Sequence, residues 1–172
     1  MRIRRDGQRL GFAAPPSRRT TPPPATLARV AQALGLRAQD IRQAQTLDNG
    51  PQFLTLLLNS RQAVLACQPD MQALASTGFN AAIATWEPDG TTDLEVRAFG
   101  PKDGFTEDPV TGSLNAALAQ WLMVEGLAPA RYTAAQGTAL GRAGRVHLER
   151  EANGTLWVGG DSVSCISGEV RL

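Results

Sequence analysis

The sequence predicts an α+β fold: a strongly curved, mostly antiparallel sheet, a half-barrel, wrapped around one central buried helix. Three observations predict it. Short apolar runs separated by turn clusters outnumber helical stretches. They do not alternate regularly with helices, which argues against a doubly wound parallel sheet. The one long helical stretch, residues 111–126, is apolar around most of its circumference (Leu114, Ala116, Ala117, Leu118, Ala119, Trp121, Leu122, Val124). Such a helix must be buried on nearly all sides, and a curved sheet is the economical cover.

The elements follow in order. Residues 1–10 predict two short strands around Asp6-Gly7, a favoured hairpin dipeptide. Leu10, Phe12 and Ala14 continue the alternation. Residues 14–25, APPSRRTTPPPA, form a connector whose prolines oppose helix and ladder alike. Leu27, Val30 and Leu34 predict an amphipathic helix over residues 25–36, stopped at Gly35. Residues 41–47 are a weak strand and Asp48-Asn49-Gly50-Pro51 a turn. Residues 53–59 are an apolar strand, and residues 64–67 predict another. Residues 71–75 predict a helix behind Pro69. Residues 79–86 and 94–99 predict strands joined by a turn at Glu87 to Gly90. Beyond the main helix, Val146 and Leu148 point one way from a strand while Arg145, His147 and Glu149 point the other. TLWVGG and SVSCISGEVRL close the chain as strands.

At 172 residues the chain fits one domain, read here as a single lobe over 1–172. A globular chain of this size buries about 70% of its unfolded surface and needs no staples. Seventeen basic and sixteen acidic residues nearly cancel, against a general nucleic-acid binder. The basic start (Arg2, Arg4, Arg5, Arg9, Arg18, Arg19) reads as a solvated edge strand and loop. Cys67 and Cys165 lack metal-ligand spacing and read as ordinary packing thiols. No secretory core or membrane-length run is present, so the expectation is a cytoplasmic protein with neither membrane nor nucleic-acid partners. His147 is expected to be exposed. Trp86, Trp121 and Trp157 are expected in the core. The GRAG stretch, Gly141 to Gly144, is a tight turn without the lysine of a phosphate loop.

The chemistry sits where the main helix begins. GFTEDPVTGSLNAALAQWL, residues 104–122, turns from polar to apolar without a break. A helix start offers unpaired amides and a partial positive charge. Gly112 lets a ligand approach the backbone there, and the Thr111 and Ser113 hydroxyls add donors. Together they make an anion site suited to a carboxylate. Asp108, held extended by Pro109, stands beside it and can bind an ammonium or transfer a proton. The simpler alternative is that Thr111 or Ser113 caps the helix while Glu107 and Asp108 answer its dipole.

FTEDPVTGSLNAALA resembles the EDPVTGSA signature of the phenazine-biosynthesis PhzF-like family, whose fold is that of diaminopimelate epimerase. RRDGQRLGFAAPP, ALGL, DNGPQFLTLLL, AAQGTALGRAGRVHLE and LWVGGDSVSCISGEV resemble further pieces of the family in series. The resemblance covers essentially the whole chain but only the family's second half. It implies a diaminopimelate epimerase-like lobe of a two-lobed isomerase. In that family a first-lobe glutamate shuttles a proton between substrate carbons, with neither metal nor organic cofactor. By resemblance Asp108 and Ser113 carry over as catalytic residues. Thr111 and Gly112, with Gly50 and Pro51, become substrate-binding residues lining the cleft between lobes. The type member acts on a dihydro-hydroxyanthranilate; this chain is expected to take a small amino-acid-like carboxylate.

The first lobe and its glutamate are absent from the sequence, and Met1 falls where a full-length member would be near its middle. Near the mouth, Asp108 and Glu107 remain as acids. The implied partner is therefore a first-lobe polypeptide or a second copy in a homodimer. The alternative is a non-catalytic carboxylate-binding module or a self-associating assembly partner.

Overall fold

The computed structural model of the chain describes residues 2–170. Two predicted strands run past this range, one at Met1 and one at Arg171-Leu172, and those residues lie outside it. β1 (Ile3–Asp6) and β2 (Arg9–Ala13) form the first hairpin. Asp6 pairs with Arg9, so the turn sits one residue later than predicted, on Gly7 and Gln8. Gly7 adopts a φ of 60°, which such a tight turn requires and glycine adopts freely.

The proline-rich connector is not all loop. β3 (Arg18–Thr20) lies between its two proline groups and pairs with β4 (Ile41–Asp48). Arg18, Arg19 and Thr20 keep their amide donors, and a short charged strand suits the sheet edge that β3 occupies. α1 (Pro24–Ala33) starts on a proline at its first position and stops before Gly35.

β5 (Gln52–Leu58) and β6 (Asn80–Trp86) run parallel. Parallel neighbours need a crossover. The strand predicted at residues 64–67 is accordingly a helix, α2 (Arg61–Ala66), followed by α3 (Met71–Ser76). The Ser60 hydroxyl accepts the Ala63 amide at 3.2 Å, and the Asp70 carboxylate accepts the Ala73 amide at 2.9 Å. Both are N-caps that start short helices.

β7 (Leu94–Phe99) returns antiparallel to β6. The two-residue β8 (Glu107–Asp108) leads into α4 (Gly112–Val124). β9 (Arg131–Gln136), β10 (Gly144–Arg150) and β11 (Leu156–Asp161) complete an eleven-stranded sheet ordered β1-β2-β11-β10-β9-β7-β6-β5-β4-β3, with β8 on β7. The sheet is mixed but mostly antiparallel, β7 with β9 being the second parallel pair.

The closing strand predicted for SVSCISGEVRL is absent among the described residues. After Asp161 the chain carries no helix or strand up to residue 170, and Val163, Ile166 and Val170 are exposed. Asp161 pairs with Arg9, the first residue of β2, so the sheet offers no continuing neighbour on that side. Cys165, expected to pack, is exposed with this tail, whereas Cys67 is buried.

The sheet has two packed faces. On one, Phe53, Leu94, Val96, Ala98, Leu148 and Val158 share a buried cluster with α4, which touches β4, β10 and β11. On the other, Leu54, Leu56, Leu58, Ala81, Ile83 and Phe99 pack with Val30, Leu34, Val64 and Leu74 of α1–α3. β5 is thus buried on both sides, which accounts for an apolar run broken only by the buried Thr55. Trp121 and Trp157 are buried as expected, and Trp86 packs partly buried on the α4 cluster. Among the described residues no helix is long and apolar enough to cross a membrane.

Candidate functional site

The far edge of β7 is shared by two strands. β9 pairs with its first half, Leu94 to Val96, and β8 with Ala98 and Phe99. The end of β9 therefore meets the chain entering α4, and this meeting builds the site.

Glu107 and Asp108 are consecutive strand residues, so their side chains leave on opposite faces. Glu107 turns away from the mouth. Its carboxylate accepts Arg97 Nε and Nη2, both at 2.9 Å. Arg97 Nη1 in turn donates to the carbonyls of Val64 and Cys67. The pair is nearly buried, with side-chain exposures of 7% and 10%. This corrects the expectation that Glu107 stands at the mouth as a second acid. Asp108 is half-buried on the mouth side. Its Oδ2 accepts the Thr111 hydroxyl at 2.8 Å.

Thr111 occupies the N-cap position of α4 without capping it through its side chain. The fully buried Gln136, last residue of β9, holds it in place. Gln136 Oε1 accepts the Thr111 amide at 3.1 Å and Asn115 Nδ2 at 2.8 Å. Gln136 Nε2 donates to the Asp108 carbonyl and to Thr111 Oγ1, each at 2.9 Å. Sequence reasoning singled out neither Gln136 nor any role for the buried Asn115. The available clue was an amide side chain beside runs of buried small apolar residues, Asn115 before Ala116 to Ala119 and Gln136 after Ala134-Ala135. Close approach is also built in: a Cβ on Gly137 would lie 2.7 Å from the Pro109 carbonyl, and one on Gly144 2.5 Å from Val110.

With Thr111 engaged, no side chain caps the first turn of α4, and the Gly112 and Ser113 amides point from the helix start. Ser113 gives its carbonyl to Asn49 Nδ2 at 2.8 Å, which ties the β4–β5 turn to the mouth. Gly50, at a φ of 119°, and Pro51 are exposed in that turn. The Phe12 ring lies against Gly112. The structure thus gathers Asp108, Thr111, Gly112 and Ser113, with Gly50 and Pro51 joined through Asn49. Chemically, such a mouth can hold a small anion on helix-terminal amides beside an acid able to carry a proton.

His147, expected to be exposed, stands apart from the mouth and is half-buried. Its Nδ1 lies 3.2 Å from Thr133 Oγ1. Burial, with Arg9 adding to it, holds the imidazole below its ordinary pKa.

A mostly antiparallel mixed sheet, whose buried helix opens on Asp-Pro-Val-Thr-Gly-Ser, defines the class as α+β. The sequence profile of the phenazine biosynthesis-like protein family matches residues 5–168, and the chain belongs to that family. An uncharacterized isomerase of Pseudomonas aeruginosa is 35% identical over 141 residues, 82% of this chain and 50% of its own length. One from Pasteurella multocida is 29% identical over 139 residues, 81% of this chain and 48% of its own. The crystal structure of a Bacillus anthracis PhzF-family phenazine biosynthesis protein superposes with a TM-score of 0.74 at 14% identity, covering 92% of this chain and 60% of that one. This last likeness concerns the fold alone. The chain spans about half the length of the curated relatives it matches.

Proposed function

We propose that the chain is one lobe of a cofactor-independent isomerase that moves a proton on a small amino-acid-like carboxylate. The observation that carries this reading is the uncapped start of α4 beside half-buried Asp108. In it, the substrate carboxylate lies on the Gly112 and Ser113 amides and the Ser113 hydroxyl. Asp108 faces the reacting end, while Gly50 and Pro51 line the cleft. The glutamate that takes the proton from carbon stands on a first lobe, supplied by another polypeptide, a second copy or further sequence. The half-length match to relatives named isomerases supports that division. We read the sheet as a half-barrel around α4, because early strand β4 and late strands β10 and β11 all touch that helix.

The test is solvent-deuterium incorporation into a panel of amino acids and cyclic amino-acid analogues, with a first lobe joined upstream or added in trans. The expected result is exchange at carbon that falls about 100-fold or more in Asp108→Asn and falls also in Ser113→Ala. Turnover unchanged in both variants ends the proposal.

A second reading is favoured by the exposed tail residues Val163, Ile166 and Val170. Here the chain is a carboxylate-binding or self-associating partner whose tail is covered on assembly. A sedimentation series showing only monomer at high concentration counts against it.

A further inference from the structure

We infer that Gln136 is the positioning residue of the mouth: it aims Asp108 and leaves the Gly112 and Ser113 amides free for the ligand. The inference rests on the carboxylate-site reading and deepens it.

The argument starts from hydrogen-bond capacity. A glutamine amide has two donors and an acceptor oxygen with two lone pairs. Gln136 spends all of these on four bonds inside the mouth. It is fully buried, so water cannot substitute for any lost partner. The direction of one bond decides the rest. Because Nε2 donates to Thr111 Oγ1, the hydroxyl proton of Thr111 must point elsewhere. Its partner is Asp108 Oδ2, at 2.8 Å. The chain Gln136–Thr111–Asp108 is thus polarised one way and holds the carboxylate by its Oδ2.

The same side chain decides which amides serve a ligand. Gln136 Oε1 takes the Thr111 amide, so the anion seat moves one step along, to Gly112 and Ser113. Thr111, expected from the sequence to donate to substrate, becomes a relay instead. Asn115 Nδ2 bridges the Thr111 carbonyl, at 3.0 Å, and Gln136 Oε1. The first turn of α4 and the end of β9 are therefore tied together. The signature loop and Gln136 lie 25 residues apart in the chain, and the shared edge of β7 brings them together.

The experiment compares wild type with Gln136→Leu, Thr111→Val and Thr111→Ser, well below their melting temperatures. Two readouts are taken: amide exchange at Thr111, and the affinity for L-glutamate used as the carboxylate probe. Gln136→Leu is expected to speed Thr111 exchange by about tenfold or more and to weaken L-glutamate by a similar factor. Thr111→Val should match it in affinity, and Thr111→Ser, which restores the hydroxyl, should stay within about twofold of wild type. A residue of merely structural importance would lower the melting temperature and leave affinity at low temperature alone. Unchanged exchange and affinity in a folded Gln136→Leu overturn the inference. If that variant does not fold, wild-type affinity in Thr111→Val overturns it. Should wild type bind no L-glutamate, the carboxylate reading loses its support, and the exchange comparison still decides whether Gln136 holds the mouth.

Discussion

Glu107 and Asp108 are neighbours in sequence and opposites in structure. Glu107 is locked by a bidentate arginine in the nearly dry layer between the sheet and α2. Asp108 is half-open at the helix mouth, its carboxylate accepting the Thr111 hydroxyl and the Val110 amide. Strand alternation alone separates them: one peptide step sends one acid into the scaffold and the next toward the site. The difference teaches that two acids beside a helix start need not share a task. One secures the strand that presents the other.

The largest effect should come from the scaffold side. Arg97→Leu strands Glu107 without its partner in a buried layer, and is expected to cost about 3–5 kcal/mol in urea unfolding. Combining it with Glu107→Leu should recover much of that loss, because no unpaired charge then remains. A single variant within 1 kcal/mol of wild type would place the pair with exposed surface bridges and erase the contrast. The site side should respond oppositely. Asp108→Asn keeps an oxygen to accept the Thr111 hydroxyl, so its stability cost should be about 1 kcal/mol. Its loss is expected in turnover or ligand affinity instead.

Much of this contrast was legible beforehand, and the illegible part has physical causes. The stretch from Asp108 to Ser113 is local, so its residue types alone identify a helix start beside an acid. The partner of that stretch, Gln136, arrives through tertiary structure, and its strand RYTAAQ shows no clear alternation to announce β9. β8 is two residues long, too short for any period. The six-residue RQAVLA of α2 reads equally as strand or helix; only the parallel pairing of β5 with β6 requires the helix. The tail from Ser162 has strand-forming residues, but a strand needs a neighbour with free edges, and composition does not report neighbours. Helix α4 was legible as far as Met123, because an apolar helix has one physical solution, burial; Val124, counted with its apolar surface, is exposed.

Glu95 offers the finest test of the comparison, since it lies two residues before Arg97 on the same face of β7 and is almost fully buried. Unlike Glu107 it lacks a clean partner. Arg61 Nη1 stays 3.9 Å away, and Oε1 has no hydrogen bond. Burial pushes its carboxyl above the ordinary value of 4.5, with Thr138, Arg61 and Arg145 opposing the rise and Asp89 adding to it. A carboxyl raised in the folded state binds its proton more tightly there than when unfolded. Its contribution to stability is therefore full below pH 4.5 and is lost as the pH climbs through the raised value. Glu95→Gln removes the charge and keeps a polar oxygen. The variant should match wild type at pH 4 and become the more stable of the two toward pH 7, because burial disfavours the charged carboxylate despite the partners that oppose the rise. Thermal melts of both proteins across that range decide it. A variant that instead falls below wild type as the pH rises would mean that Glu95, like Glu107, is a paired acid stabilising the scaffold.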